Sequence, residues 1–522
     1  MALVSPFWCS PTRVLARTRD VLRQFRLDRS GAVALLFGLT LIPVIAFAGG
    51  AIDYANAYRM RAKLQNALDS ATLAVGREVD AGANSGAARQ IGKDVLAANL
   101  GADFPAGYSV NFSIDGTMVT GTASLDVPTY LLGVIGHNSF DVGTTSVVNV
   151  SNGTIEVALV LDNSGSMGGS KIADLRDAAQ KLTETLFAAQ RDTSGVSIGL
   201  VPFAGAVNVG TGNANAAWMD TAGQSSIHFE NFDRNNKTRF QLFDELRNVG
   251  WAGCVEVRPS PHDVDDTLPD GGDALFVPYF APDEPDERDP DKDRYVNSYL
   301  NDDGGDCATP PDDETQVQAQ EKTCKYTNAS ASLSDGKGPN YRCTSRPIMP
   351  LSENEGQIVA AIQAMRANGM TNIHDAVMWG WRVLSSGEPF TQGRSEDDAT
   401  NRKFMVVMTD GKNTHTGRNH QNRSRFSAYG FSKNGRLRSP TRTTWRLERA
   451  MNNKTETSCT NAKAADITIY TIAVEVSDDD TIEMLQRCAS GEGRAFSIDD
   501  SGKLNDIFKA IADEINKLRI TS

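Results

Sequence analysis

The chain has 522 residues, a formal net charge of −13 and 40% hydrophobic residues, enough apolar material for more than one packed core and too much for a disordered chain. A sequence pI near 5.1 and a mean hydropathy of −0.33 argue against a duplex-binding nucleic-acid protein, whose surface is basic overall, and against a multi-span membrane protein. The acidity is local: residues 263–314 hold eighteen Asp or Glu against Arg288, Lys292 and Arg294, so the charge reads as that of one solvated loop region.

The first element is a charge-free run from Gly31 to Ile52, GAVALLFGLTLIPVIAFAGGAI, flanked by Arg29 and Asp53. At ~1.5 Å per residue it spans ~33 Å against a hydrocarbon core of ~30 Å, which predicts a transmembrane helix over 31–52. Arg13, Arg17, Arg19, Arg23, Arg26 and Arg29 precede it with only Asp20 and Asp28 between. The positive-inside rule therefore makes residues 1–30 a basic cytoplasmic tail and sends residues 53–522 across. The run is longer than the ~7–15-residue core of a cleaved signal peptide, so an anchor is expected. Cys9 stands before the span, whereas Cys254, Cys307, Cys324, Cys343, Cys459 and Cys488 follow it. An even six in an oxidising compartment predicts three disulfides, paired within the Cys254 to Cys343 group and between Cys459 and Cys488.

Past Asp53 the helical pattern continues, with Ala57, Met60, Leu64, Ala67, Leu68, Ala71, Ala74 and Val75 recurring at three and four. A second helix near Ala87 to Leu100 and strands near 108–112, 118–125 and 142–150 make residues 53–150 a small α+β, pilin-like module. The stretch RSGAVALLFGLTLIPVIAFAGGAIDYANAYRMRAKLQNALDSATLAVG, roughly residues 26–76, resembles the N-terminal region of the TadE/TadG-like Flp pilus-assembly family.

Residues 154–161, TIEVALVL, form an apolar, β-branched run that reads as a buried parallel strand and ends in Asp162-Asn163-Ser164-Gly165-Ser166. A helix follows, with Ile172, Leu175, Ala178, Ala179, Leu182 and Leu186 as its buried face. The Asp-x-Ser-x-Ser loop thus sits at a strand's carboxyl end, where open α/β sheets place ligands. Further on, Gly369-Met370-Thr371-Asn372 opens another helix, and a second buried strand, 404–408, ends in Thr409-Asp410-Gly411. Hydroxyls and carboxylates in these places suit a hard divalent cation, Mg²⁺ first, with Mn²⁺ or Ca²⁺ as alternatives.

Strand, motif, Thr and TDG in this order resemble a von Willebrand factor A domain with its metal-ion-dependent adhesion site. The resemblance implies a doubly wound, mostly parallel α/β sheet over residues 151–522. It implies Ser164, Ser166 and Thr371 as direct ligands, Asp162 and Asp410 acting largely through water, and an acidic side chain of a partner completing the coordination. Strands near 196–205, 467–476 and 495–498, and a closing helix with the face Leu504, Ile507, Phe508, Ile511, Ile515 and Leu518, fit the same plan.

Two inserts interrupt it. About residues 210–345 carry four cysteines and the acidic stretch. Residues 412–446 carry nine Lys or Arg, no Asp or Glu, and Phe426, Tyr429, Phe431 and Trp445 among them. Aromatics between basics can hold an anionic polymer, but the favoured reading lays this loop against the acidic insert. Asp289-Pro290-Asp291-Lys292-Asp293 fails as an EF-hand, because Arg294 stands where Gly is needed and Leu300 where Glu is needed.

Enzyme signatures are absent. A nucleophile elbow at Ser166 would need Gly in place of Ser164, and neither a zinc-protease nor a P-loop pattern occurs. His374 follows Thr371 by three residues and reads as a helix-capping or partner-contacting group rather than a base. The expected protein is a non-enzymatic, single-pass inner-membrane protein whose periplasmic bulk binds other pilus-assembly or envelope proteins through an acidic side chain, with no nucleic-acid partner. A surface adhesin and a metal-dependent hydrolase are the alternatives.

Overall fold

The computed structural model of the protein describes residues 30–80, 83–102, 104–115, 118–149, 153–189, 195–233, 237–286, 292–309, 311–438 and 440–520. The basic tail over 1–29 with Cys9, and residues 289–291 of the Asp-rich segment, lie outside the described residues. The chain divides into two compact units, residues 1–151 and 152–522.

In the first unit, α1 (Ser30–Asp80) is one unbroken helix that runs through Pro43. Its early part exposes Leu35, Phe37, Leu39, Val44 and Phe47, and the stretch Leu35–Val79 is long and apolar enough to cross a membrane. From Ala57 onward the helix is two-faced, burying Leu64, Ala67, Leu68, Ala71 and Val75, as the three-and-four spacing requires. That face covers α2 (Ser85–Leu100) and an antiparallel sheet of β1 (Ser109–Asp115), β2 (Met118–Pro128) and β3 (Ser139–Asn149), ordered β1-β2-β3. On β2 the buried positions alternate through Val119, Ala123, Leu125 and Val127, the period of a half-covered strand. Gly121 in that series lets α1 approach, since a Cβ there would stand 2.3 Å from the Thr72 hydroxyl oxygen.

The second unit is α/β, around a six-stranded sheet. Its elements are β4 (Thr154–Asp162), α3 (Ser170–Ala188), β5 (Val196–Phe203), β6 (Met349–Ser352), α4 (Glu355–Gln363), α5 (Ile373–Leu384), β7 (Asn401–Thr409), α6 (Thr444–Ala464), β8 (Ile467–Val474), α7 (Asp479–Cys488), β9 (Ala495–Ile498) and α8 (Leu504–Ile520). The strand order is β6-β5-β4-β7-β8-β9. All neighbours are parallel except β5 and β6, which pair antiparallel at Ile198 with Ser352 and Leu200 with Met349.

Helices cover both faces. Ile155, Val157, Leu159 and Leu161 of β4 pack with α3, α4 and α8, while Ala158 and Val160 pack with α5, α6 and α7. A strand buried on both sides needs a continuous apolar run rather than alternation, which residues 157–161, VALVL, supply, while the buried Glu156 before them is answered by Lys403 at 3.3 Å. The whole expected face of α3 is buried, as are Leu504, Phe508, Ile511 and Ile515 of α8; the Leu518 side chain lies outside the described ones.

The disulfides pair Cys254 with Cys343, Cys307 with Cys324, and Cys459 with Cys488, within the groups expected from their positions in the chain. Between β5 and β6 the described residues of the first insert have little regular structure, with α-helices among them only at Arg239–Glu245 and Gln316–Glu321 besides single 3-10 turns.

Candidate functional site

The carboxyl ends of β4 and β7 lie side by side at the middle of the sheet, where successive strands switch from one side of β4 to the other. Loops leaving such a point face outward together, which is where ligands bind in open α/β sheets. Asp162 ends β4 and is fully buried. Its carboxylate accepts the Ser164 amide at 2.7 Å and the Thr409 hydroxyl at 2.6 Å. The hydroxyls of Ser164 and Ser166 are 3.0 Å apart, and Ser166 donates to Asp410 Oδ1 at 2.6 Å. Four of the five expected residues therefore form one hydrogen-bonded group across 248 positions of sequence, Asp162 to Asp410.

Thr371 joins them through the main chain. The Gly165 amide donates to the Gly369 carbonyl at 2.9 Å, and the Asn368 amide to the Asn163 carbonyl at 2.7 Å, tying segment 368–371 to the Asp-x-Ser-x-Ser loop. The Thr371 amide donates to the Thr414 hydroxyl at 2.8 Å, and Thr414 returns its amide to the Thr371 carbonyl at 2.9 Å. The opening residues of the basic insert thus hold the Thr371 segment in place.

The electrostatics follow from burial. Loss of solvent, with the Asp410 charge adding to it, pushes the Asp162 carboxyl up to about 6. Asp410 is answered by Lys171, in the first turn of α3, whose ammonium lies 3.0 Å from Asp410 Oδ2 and 3.1 Å from Glu475. Among the described residues no cluster of three or more His, Cys, Asp or Glu is arranged to hold a metal, so a cation here would depend on the serine and threonine hydroxyls. The donor set is all oxygen, and the Asn163 side chain is buried beside it with both amide atoms unpartnered. Hydroxyl and carboxylate oxygens beside an unpartnered buried amide fit a hard divalent cation, with the Lys171 ammonium as its competitor at Asp410.

Thr409, Lys171 and Glu475 were not singled out from the sequence. Glu475 follows β8 directly, and the rule that ligand-facing groups leave the carboxyl ends of parallel strands would have pointed to it. Lys171 carries no such signal beyond its place in the first turn of a helix that starts at the site.

His374 is neither a cap nor a partner contact. Asn372 caps α5, accepting the Asp375 amide at 3.2 Å. The His374 ring is buried, with Nδ1 2.6 Å from the Tyr429 hydroxyl of the second insert and Nε2 2.9 Å from the Asp263 carbonyl of the first. Nε2 therefore donates and Nδ1 accepts in a neutral ring. Burial, aided by the Lys454 charge, lowers its pKa to about 3. A histidine whose folded pKa lies below its unfolded value binds its proton later when folded, so acid favours the unfolded chain from pH ~6.5 downward. Relative to His374→Gln, the parent is expected to lose about 2 kcal/mol in urea unfolding between pH 7.5 and pH 5. Parallel pH profiles for the two proteins would refute the assignment.

The inserts meet one expectation and depart from another. Phe426, Tyr429 and Phe431 are buried in a core shared with Val257, Tyr279 and Tyr341 of the first insert, so of the four aromatics only Trp445 is exposed for stacking. The basic loop lies against the first insert, as expected, and pairs with it through Arg436 to Glu230 and Glu256 and Lys433 to Glu321, while Lys412 pairs with Glu448 of α6. The acidic stretch, however, is not wholly solvated. Asp263 pairs with Lys454. Asp283 is buried against Lys325 at 2.7 Å. Glu284 accepts the amides of Val296 and Asn297 at 2.9 and 2.7 Å. Glu284, and Asp283 through the amides of Tyr299 and Leu300 at 2.6 and 2.8 Å, replace regular secondary structure as acceptors for the chain's own N–H groups.

Residues 31–84 match a family model described as putative Flp pilus-assembly TadE/G-like, so the chain carries a TadE/G-like N-terminal segment. No curated protein matches the sequence. Similar solved structures include the pilus adhesin SpaC from Lactobacillus rhamnosus GG, at 11% identity over 80% of this chain and 36% of that chain with a TM-score of 0.33. The vWF domain of the type V pili tip protein Mfa5 from Porphyromonas gingivalis aligns at 11% identity over 71% of this chain and 97% of that one, TM-score 0.33. The adhesive tip pilin GBS104 from Group B Streptococcus agalactiae aligns at 11% identity over 69% and 100%, TM-score 0.33. This chain spans about a third of the length of SpaC.

Proposed function

We propose, from the TadE/G-like segment over residues 31–84, that the protein is a single-pass inner-membrane component of Flp/Tad-type pilus assembly or anchoring. Its N-terminus is cytoplasmic, and its bulk is a periplasmic von Willebrand A-type binding module rather than an enzyme. The binding site is the mouth formed by Asp162, Ser164, Ser166, Thr371 and Asp410. Ser164, Ser166 and Thr371 would hold a divalent cation, Mg²⁺ in the first instance, through their hydroxyls, with Asp162 and Asp410 behind them. When bound, such a cation supplies a Lewis-acidic position to which a carboxylate of a partner pilus or envelope protein can bind. The observation that carries the reading is the convergence of Asp162, Ser164, Ser166 and Asp410 in one hydrogen-bonded group at the strand switch.

The test is thermal unfolding of the oxidised, detergent-solubilised chain after EDTA treatment, with Mg²⁺, Mn²⁺ or Ca²⁺ added back. A ligand selective for the folded state is expected to stabilise it by ~2.7 kcal/mol at a hundredfold excess over its dissociation constant. Asp162→Ala and Ser164→Ala are expected to lose the response. Lys171→Met removes the ammonium that shares Asp410, and is expected to tighten cation binding about tenfold. A parent that no cation stabilises would end the metal-dependent reading and leave the inserts as the binding surface.

A further inference from the structure

The turn between β2 and β3 is unusual in composition and in what it touches. Residues 127–140 contain no Asp, Glu, Lys or Arg, and within them Tyr130 is 75% and Val134 86% exposed. Such side chains at the tip of a soluble loop lack any hydrophobic contact.

This loop is fastened to one turn of α1. The Asp53 carboxylate accepts the amides of Tyr130, Leu131 and Leu132 at 3.1, 2.9 and 2.8 Å, and Asp53 itself is buried by them. Gly49 and Gly50 make room for the contact: a Cβ on Gly49 would stand 2.6 Å from Leu131 Cβ, and one on Gly50 3.3 Å from Leu132 Cδ2. Both glycines belong to the charge-free run that ends at Ile52.

The seat therefore fixes the loop's height. If the run spans the bilayer, the loop meets the helix within its last turn, ~5 Å from the end of the apolar stretch. The first basic residue beyond is Arg59, ~10 Å further along the axis. Between the two, Tyr54 and Tyr58 are exposed on the helix, the residue type that collects at membrane–water boundaries. Much of the loop's backbone is paired within the unit: besides the three amides on Asp53, Val134 donates to Leu131, Gly136 to Gly133 and His137 to Leu132, which lowers the cost of leaving water.

We propose that residues 130–136 form a monotopic foot. It inserts Tyr130, Leu131 and Val134 into the headgroup and upper acyl region of the leaflet where α1 leaves the membrane, holding the pilin-like module against the bilayer. The inference rests on the reading of α1 as a membrane anchor and is independent of any metal at the Asp162 site. Side chains at this depth gain burial without spanning, as interfacial segments do. Asp53 has a structural task here, joining foot to anchor.

The full chain with Cys9→Ser, reconstituted in phosphatidylethanolamine and phosphatidylglycerol vesicles, tests this with an environment-sensitive fluorophore on Val134→Cys. Leu41→Cys in the apolar run and Asn111→Cys on β1 serve as references. The expected result is blue-shifted emission at Val134, quenching by lipids labelled near the headgroup several-fold stronger than at Asn111, and protection from aqueous iodide. Asp53→Ala is expected to bring the Val134 signal down to that of Asn111 while Leu41 is unchanged; an unchanged Val134 signal would overturn the clamp. Val134 open to iodide and untouched by lipid quenchers, with Leu41 quenched by deep-chain labels, would overturn the foot and leave the anchor standing. Val134 shielded from both quenchers would place it under protein and also overturn the foot. If Leu41 is not quenched, the anchor reading fails and the foot with it.

Discussion

Glu256→Ala is expected to lower the stability of the second unit by about 3–5 kcal/mol in urea unfolding, because it leaves a buried cation, Arg239, without its counterion. The Glu256 side chain is fully buried, bonded to Arg239 on one side and 2.6 Å from Arg436 on the other. Arg239 sits in the first insert and Arg436 in the second, so this carboxylate bridges a cation from each, beside the Arg436–Glu230 and Lys433–Glu321 pairs that also cross between the inserts. Arg239 also donates to the carbonyls of Ile227, His228 and Pro278 at 3.0, 2.9 and 3.0 Å, so it cannot swing to solvent without breaking these bonds. Arg436 keeps Glu230 at 2.7 Å, which makes Arg239 the group left without a counterion. Glu256→Gln keeps the volume and one acceptor and is expected to cost less than the alanine variant. Limited proteolysis should show cleavage appearing first within residues 412–446. A loss under about 1 kcal/mol would mean that water or another acceptor replaces the carboxylate, and the inserts are then held by their apolar contacts.

That bridge explains why the inserts were illegible in the sequence while the sheet was not. β4 and β7 each contain a continuous apolar run, residues 157–161 and 404–408, and α3 and α8 repeat at three and four, so each shows its burial by its spacing. The inserts have no such period. Their cores are built from residues such as Phe232, Phe280, Tyr326 and Tyr429, spaced irregularly and brought together by buried pairs like Asp283 with Lys325 and Arg239 with Glu256. Counting charges over 263–314 suggested a solvated loop because composition does not distinguish Glu284, which binds two amides, from a carboxylate in water. The aromatics of 412–446 follow the favoured reading: Phe426 and Phe431 stack edge-to-face at 5.0 Å inside the core shared with the first insert rather than presenting faces to a ligand.

The candidate site was legible where the sequence places polar residues directly after an apolar strand. Asp162 and Asp410 are both of this kind, and the register that pairs Leu161 with Met408 brings them into neighbouring loops. Lys171 was hidden because its role comes from the start of α3 folding back over Asp410, which spacing alone does not predict. Its presence matters chemically: the site contains its own ammonium, so the charge available to a divalent cation is less than the two carboxylates suggest.

The second large effect is expected from the insert's stem. Cys254 and Cys343 are joined across 89 residues, and closing a loop of that length removes enough unfolded-chain entropy to contribute about 4–5 kcal/mol. Cys307 and Cys324 are 17 positions apart, for which the same relation gives about 3 kcal/mol. A Cys254→Ala/Cys343→Ala chain should therefore lose more than a Cys307→Ala/Cys324→Ala chain, by about 1.5 kcal/mol, in urea unfolding under oxidising conditions. The native contacts at the stem reinforce the order. Asn208 donates to the Ser345 carbonyl at 3.1 Å and the Ile348 amide donates to the Asn208 carbonyl at 2.7 Å, so the two ends of the insert meet just where the chain leaves β5. The Phe203 carbonyl, the last of β5, accepts the Asn163 amide at 2.7 Å. Loosening the stem should reach the Asp-x-Ser-x-Ser loop through that bond. The stem variant is thus expected to show faster hydrogen exchange at the Asn163 amide, while the Cys307–Cys324 variant leaves it unchanged. Equal losses of stability, with no change at Asn163, would show that the stem is held by its contacts alone and that the insert is mechanically separate from the site.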